Sequence, residues 1–151
     1  MRGVFHYNIR DQSRPTVQKI NPIENSRDHV LALAWSKTHN VLFIHDSSGN
    51  ILQYDKLSNS TSVFYKTGKL SNQLDVSPGC TIKLSESESS LFVLSDYNKI
   101  TILQNVRRNA FGGMIELSIS PSEQICDFKT IGDDKVLVLH LSNKLALYGF
   151  N

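Results

Sequence analysis

The chain is poor in the residues that would announce a chemistry. Of its 151 residues, two are cysteine, four proline and one tryptophan. Cys80 and Cys126 can form one bridge at most, which excludes the disulfide framework of a small secreted domain. Both fall in or beside strand-like runs, so buried free thiols are expected. No apolar run approaches the roughly 18 residues that a spanning helix needs, and no basic segment followed by an apolar one comes after Met1, so neither a membrane span nor a signal peptide is expected. Charged residues make up 20% of the chain, 16 basic against 14 acidic, for a net charge of +2. That dispersed, mild excess is unlike the clustered Lys and Arg of a domain built on phosphate contacts.

Reactive constellations are missing too. There is no Gly-rich phosphate loop, no nucleophile elbow on a serine and no carboxylate pair in a convincing setting. The histidines, His6, His29, His39, His45 and His140, are scattered, and none has the spacing of a zinc site. His45 and His140 fall at comparable places near the ends of strand-like runs, which points to a structural role. Asp133-Asp134 sits in Gly132-Asp133-Asp134-Lys135, a turn sequence. Asn59-Ser60-Thr61 fits a glycosylation sequon, but without secretion it reads as an unused turn. The expectation is a protein with no catalytic residue, no cofactor and no metal.

What is present is strand. From Asp28 to Asp55 the chain reads DHVLALAWSKTHNVLFIHDSSGNILQYD. Val30 to Trp35 is nearly all apolar, the pattern of a strand buried on both faces, and the polar turn Lys37-Thr38-His39-Asn40 follows. Val41 to Ile44 is a second strand. Asp46-Ser47-Ser48-Gly49-Asn50 supplies side-chain acceptors and a glycine able to take positive φ, which suits a hairpin loop. Ile51 to Tyr54 is the third strand, and the more polar Ser60 to Lys66 reads as an outer strand at a sheet edge. Trp35 and the strand phenylalanines and tyrosines are read as core.

The phrase recurs. Ser90 to Asn105 and Val136 to Phe150 each set an apolar strand, a short turn and a second apolar strand, with inner strands expected at Thr81 to Leu84 and at Gln124 to Phe128. Matching Asp46, Asp96 and Leu141 gives a period of roughly 40 to 50 residues, that of β-propeller blades of four antiparallel strands. The unit from Asp28 to Asp55 resembles a WD40-type repeat. His29 stands at the histidine of the family's Gly-His pair, Leu33-Ala34-Trp35-Ser36 matches its LAWS phrase, and Tyr54-Asp55 replaces Trp-Asp. Asp28 stands in place of the glycine and Ser47 or Ser48 in place of the turn aspartate, so the family's hydrogen-bonded network is expected to be incomplete. The resemblance implies a divergent propeller that scaffolds protein contacts without catalysis. Patterning also permits a β-sandwich of about 12 strands.

The expected organisation is an N-terminal strand and polar linker over residues 1–27, the strand at Gly3 to Ile9, and then about three blades over residues 28–66, 79–120 and 123–151. Propellers close with 4 to 8 blades. The chain is therefore read either as the N-terminal piece of a longer polypeptide or as one that completes its ring with a partner, with strand or blade addition at the open edge after Leu145 to Phe150. Among the loops, Asn105 to Gly113 combines Arg107, Arg108 and Phe111, the residue types that anchor interfaces, and is the candidate contact site. Ser85-Glu86-Ser87-Glu88-Ser89-Ser90 reads as a polar turn or as a phosphate acceptor. The connection Thr67 to Pro78 is polar and long. These features favour a protein-interaction scaffold in an intracellular assembly, nuclear or cytoplasmic. The alternative is a nucleic-acid-associated module using Arg107 and Arg108 with Lys66 and Lys69 against phosphate.

Overall fold

Alternating or continuous apolar runs of five to seven residues, punctuated by Asn, Gly, Ser and Asp, leave the backbone no route to helix, and none forms among the described residues. The structure, a computed structural model, describes residues 4–8, 16–20, 29–68 and 81–150. The strands are β1 (Val4–Asn8), β2 (Thr16–Ile20), β3 (Val30–Ser36), β4 (Val41–Asp46), β5 (Asn50–Asp55), β6 (Ser60–Lys66), β7 (Ile82–Leu84), β8 (Ser90–Asp96), β9 (Lys99–Gln104), β10 (Gly113–Ser118), β11 (Ile125–Ile131), β12 (Lys135–His140) and β13 (Leu145–Gly149). They form sheet 1 in the order β3-β4-β5-β6, sheet 2 in the order β7-β8-β9-β10, sheet 3 in the order β11-β12-β13, and a separate pair β1-β2, every pairing antiparallel. The β2 strand falls in the segment that the sequence presents as linker.

Local chemistry sets the hairpins. Between β4 and β5, Asp46 accepts from the backbone N–H groups of Ser48 at 3.0 Å and Asn50 at 2.9 Å, and Gly49 takes φ +86°. Asn40 supplies the left-handed residue of the β3–β4 turn at φ +54°. Asparagine tolerates that region because its short side chain can hydrogen-bond locally. His29 and Ser47 are joined by two bonds, from the His29 N–H to the Ser47 hydroxyl at 3.1 Å and from the Ser47 N–H to the His29 carbonyl at 2.9 Å.

The three sheets stack face to face around their first strands, with β3 in contact with β7 and β7 with β11. One core lies between sheets 1 and 2, where Val41, Phe43 and Ile51 meet Ile82, Leu91, Val93 and Leu103. A second lies between sheets 2 and 3, where Phe92, Leu94, Ile100 and Ile102 meet Ile125, Phe128, Val136 and Val138. Each fully buried aliphatic or aromatic side chain contributes roughly 1.5–3 kcal/mol, so these two seams carry most of the cohesion. Sheet 2 is thus covered on both faces, which is why β8 and β9 are continuous apolar runs.

Three expectations are corrected. The β3 strand is not buried on both faces: Ala32 is buried, while Leu33 is 46% exposed and Trp35 44% exposed on the opposite face. Trp35 is therefore not core, because the side of sheet 1 that it lies on meets no other full sheet. Only Val4, packed on Ile44, Leu52 and Tyr54, covers that side among the described side chains. Cys126 is a free thiol but half-buried rather than buried, since it lies beside the irregular register between Ile125 and Asp127. Cys80 and most of Thr67 to Pro78 lie outside the described residues.

Equivalent positions also differ from the sequence match. Residues directly opposed in antiparallel strands share a face. By that rule Phe43, Phe92 and Leu137 correspond, one residue earlier in the second and third sheets than aligning Asp46, Asp96 and Leu141 implies. A register shift between Leu94 and Asp96 adds the extra residue in β8. A slip of one residue exchanges the two faces of a strand. His45 and His140 accordingly point to opposite faces of their own sheets, although both are buried.

Candidate interaction surfaces

The loop singled out for partner contact, residues 105–112, lies between β9 and β10 and folds back onto sheet 1. Arg108 donates to the Asp55 carboxylate at the end of β5. The guanidinium holds the Asp55 carboxyl below the usual range, mainly through this hydrogen bond. Asn109 and Gln53 are reciprocal partners: the Asn109 N–H donates to Gln53 Oε1 at 2.9 Å, and Gln53 Nε2 donates to Asn109 Oδ1 at 2.8 Å. Phe111 lies 5.6 Å from the ring centroids of both Phe64 and Tyr65 on β6, edge-on to Tyr65. The structure therefore places Arg108 and Phe111 in a seam within the chain, and leaves the Arg107 side chain exposed.

The same seam contains His45. Its Nδ1 lies 2.6 Å from the Thr81 hydroxyl, and among the described residues no partner reaches Nε2. Burial pushes the imidazole pKa down to about 4, with Asp46 opposing the shift, so the ring is neutral at physiological pH. At the hairpin end of the stack, Glu88 accepts from the N–H groups of Lys37 at 2.7 Å and Thr38 at 2.9 Å, and from the Thr38 hydroxyl. Burial would raise the Glu88 carboxyl, but those donors outweigh it and hold it low.

The seam between sheets 2 and 3 is built differently. Lys83 on β7 donates to the Phe128 carbonyl oxygen, lies 3.6 Å from the Asp127 carboxylate and stands 5.3 Å from the Phe128 ring centroid. The Ser87 N–H and hydroxyl donate to Asp133 Oδ1 at 2.9 and 2.7 Å, and the Thr130 hydroxyl donates to the Leu84 carbonyl at 3.1 Å. The acidic serine run thus ties the second hairpin to both of its neighbours, through Glu88 on one side and Ser87 on the other. Asp133 sits in the turn between β11 and β12, as its sequence indicates.

Two apolar surfaces remain exposed. On sheet 3, Leu137 and Leu139 are half-buried, while Leu145 is 63% and Leu147 60% exposed. On sheet 1, Leu31, Leu33 and Trp35 line the exposed side of β3, and Val63 is exposed on β6. Sequence reading expected an open edge after Leu145 to Phe150 but did not single out these side chains, because an apolar strand residue carries no mark of which face its neighbour will cover. The β13 strand pairs only with β12 among the described residues. No group of three or more His, Cys, Asp and Glu able to hold a metal occurs among the described residues, and no helix there is long and apolar enough to cross a membrane. Lys66 is exposed at the end of β6, and Lys69 lies outside the described residues.

The sequence matches no known protein-family model and no curated protein. Solved structures do resemble the fold. The β-propeller domain of Cps50 (Swd1) from Myceliophteria thermophila superimposes with a TM-score of 0.70 at 11% identity, covering 96% of this chain and 48% of that one. The C-terminal WD40 domain of Sif2 superimposes with a TM-score of 0.59 at 15% identity, covering 97% of this chain and 39% of that one. The chain spans less than half the length of either propeller. Sheets 1 to 3 are propeller blades, and their ring is not closed.

Proposed function

We propose that this chain, which folds as part of a WD40-type β-propeller, is a non-catalytic scaffold segment mediating protein–protein contacts within a multisubunit assembly of the nucleus or cytoplasm. The observation that carries the reading is the exposed apolar surface at both ends of the stack, Leu145 and Leu147 on the outer face of blade 3 and Leu33 and Trp35 along the inner strand of blade 1. Exposed apolar surface rimmed by polar side chains favours a protein partner. Strand or blade addition at the β13 edge is the mode of docking that fits it. The nucleic-acid reading needs Arg107 and Arg108 to act together, and Arg108 is committed to Asp55.

Light scattering combined with a thermal melt of the 151-residue chain tests the proposal. A chain that self-associates or melts broadly alone, and becomes a sharply melting species of defined mass beside another subunit, supports it. A monomer that melts sharply by itself and keeps both surfaces open overturns it.

A further inference from the structure

Blade 3 turns outward a face that repeats, position by position, the face by which blade 2 grips blade 3. On blade 2, Phe92 is flanked by Lys83 on β7 and Ile102 on β9. On blade 3, the corresponding Leu137 is flanked by Lys129 on β11 and Leu147 on β13. Blade 1 is different, with Phe43 flanked by Ala34 and Gln53. A lysine on the inner strand and an aliphatic on the third strand thus recur on blade 3, and the polar latch of blade 1 does not.

Lys83 shows what such a lysine does when covered: it reaches the backbone carbonyl and the ring of Phe128 and the carboxylate of Asp127. Lys129 occupies the same register and is exposed, and its side chain has no hydrogen bond or ion pair among the described residues. We infer that the open face of blade 3 is a docking seat for an antiparallel β-sheet blade whose inner strand carries an acidic residue followed by an aromatic, as Asp127-Phe128 does. Lys129 reads that pair, and Leu137, Leu139, Leu145 and Leu147 pack on an aliphatic second strand like that of Val136 and Val138. A blade carrying an Arg-Asn latch like that of the residue 105–112 loop fits poorly. It meets Leu147 and Gly149 where blade 1 offers Gln53 and Asp55, so its arginine finds no carboxylate and its asparagine no side-chain amide. The inference rests on the scaffold reading and names the kind of partner the same surface takes.

The test extends the full chain, through a short Gly-Ser linker, with a second copy of residues 113–150. That copy carries Leu145→Ser and Leu147→Ser, so its own outer face neither stacks nor contributes to the readout. Radical footprinting of the original Leu145 and Leu147 is expected to fall several-fold against the unextended chain, with a rise of roughly 5 °C in the thermal midpoint. Lys129→Glu, or Asp127→Lys in the appended copy alone, is expected to reverse both changes. A control extension with residues 60–118, which brings the Arg108-Asn109 loop and an inner strand, Ile82-Lys83-Leu84, without an acidic–aromatic pair, is expected to protect neither leucine. Equal protection by both extensions overturns the assignment of Lys129, and protection by neither overturns the seat. The scaffold reading is judged separately, by whether the unextended chain depends on a partner.

Discussion

The seam between blades 1 and 2 and the seam between blades 2 and 3 each have an apolar core and a hairpin carboxylate that accepts backbone N–H groups across the joint, and they differ in the rest of the polar chemistry around them. The first adds a side-chain latch in which one loop reaches across to Gln53 and Asp55, an aromatic cluster of Phe43, Phe64, Tyr65 and Phe111, and a buried neutral histidine. The second relies on aliphatics, a lysine directed at a carbonyl and a carboxylate, and the ring contact of Phe92 with Phe150 at 5.8 Å. Cohesion comes from the shared apolar part, because hydrophobic burial is non-directional and tolerates any blade of the right shape. Selectivity comes from the polar part, because a buried donor or acceptor without its partner is penalised. One short chain therefore carries two kinds of blade joint, one discriminating through a latch and the other through a lysine.

The largest effects should erase the comparison. Phe43→Ala and Phe92→Ala each remove a fully buried ring from one seam, and each is expected to cost roughly 3–5 kcal/mol in urea unfolding. Similar losses at the two sites would show that the apolar parts are equivalent. A loss confined to one would make the other seam dispensable.

Acid should act first on the first seam. His45 titrates near 4 when folded and near 6.5 when unfolded. Above pH 6.5 both states are neutral there and the seam keeps its full stability. As pH falls from 6.5 towards 4 the unfolded state takes up a proton that the folded state refuses, and stability drops by up to about 3 kcal/mol. The carboxylates held low by their partners, Asp55, Glu88 and Asp133, act in the same sense at lower pH, their contributions being lost as pH falls through the depressed folded values. His45→Phe should flatten the limb between pH 6.5 and 4 and leave the lower limb in place, as followed by denaturant midpoints across pH.

The latch comes next. Asn109→Ala leaves the Nε2 of the buried Gln53 without its acceptor, while the residue 109 N–H still donates to Oε1, and is expected to cost about 1–3 kcal/mol. Gln53→Ile combined with Asn109→Ala converts this part of the first seam to the aliphatic kind seen at Ile102. That double variant should be more stable than Asn109→Ala alone, and a double-mutant cycle measures the coupling. The smallest effect belongs to Lys144 and Glu123, an exposed pair at 2.8 Å outside both seams. Lys144→Ala should change stability by less than about 1 kcal/mol, and less still at high salt.

Much of the architecture was legible residue by residue. Asp46 and Gly49 marked the β4–β5 hairpin because a turn needs a local acceptor and a positive φ, and the polar, β-prone run from Ser60 to Lys66 marked an outer strand. The Leu33-Ala34-Trp35-Ser36 phrase pointed to the family whose fold the solved propellers share. The interaction surfaces were far less legible. Arg107, Arg108 and Phe111 have the composition of an interface, yet Arg108 and Phe111 face a neighbouring blade, and composition does not say whether the other side of an interface belongs to the same chain.

Strand number, turn positions and the repeat follow from local chemistry, because period-2 patterning and turn residues act over a few neighbours and survive in any context. Which face of each strand is covered does not follow. It depends on register, which the extra residue after Leu94 shifts by one, and on how neighbouring blades stack. That is why Trp35 reads as core in the sequence and stands exposed in the fold, why His45 and His140 look alike and face opposite ways, and why Lys129 acquires meaning only when Lys83 is seen at the same position one blade earlier.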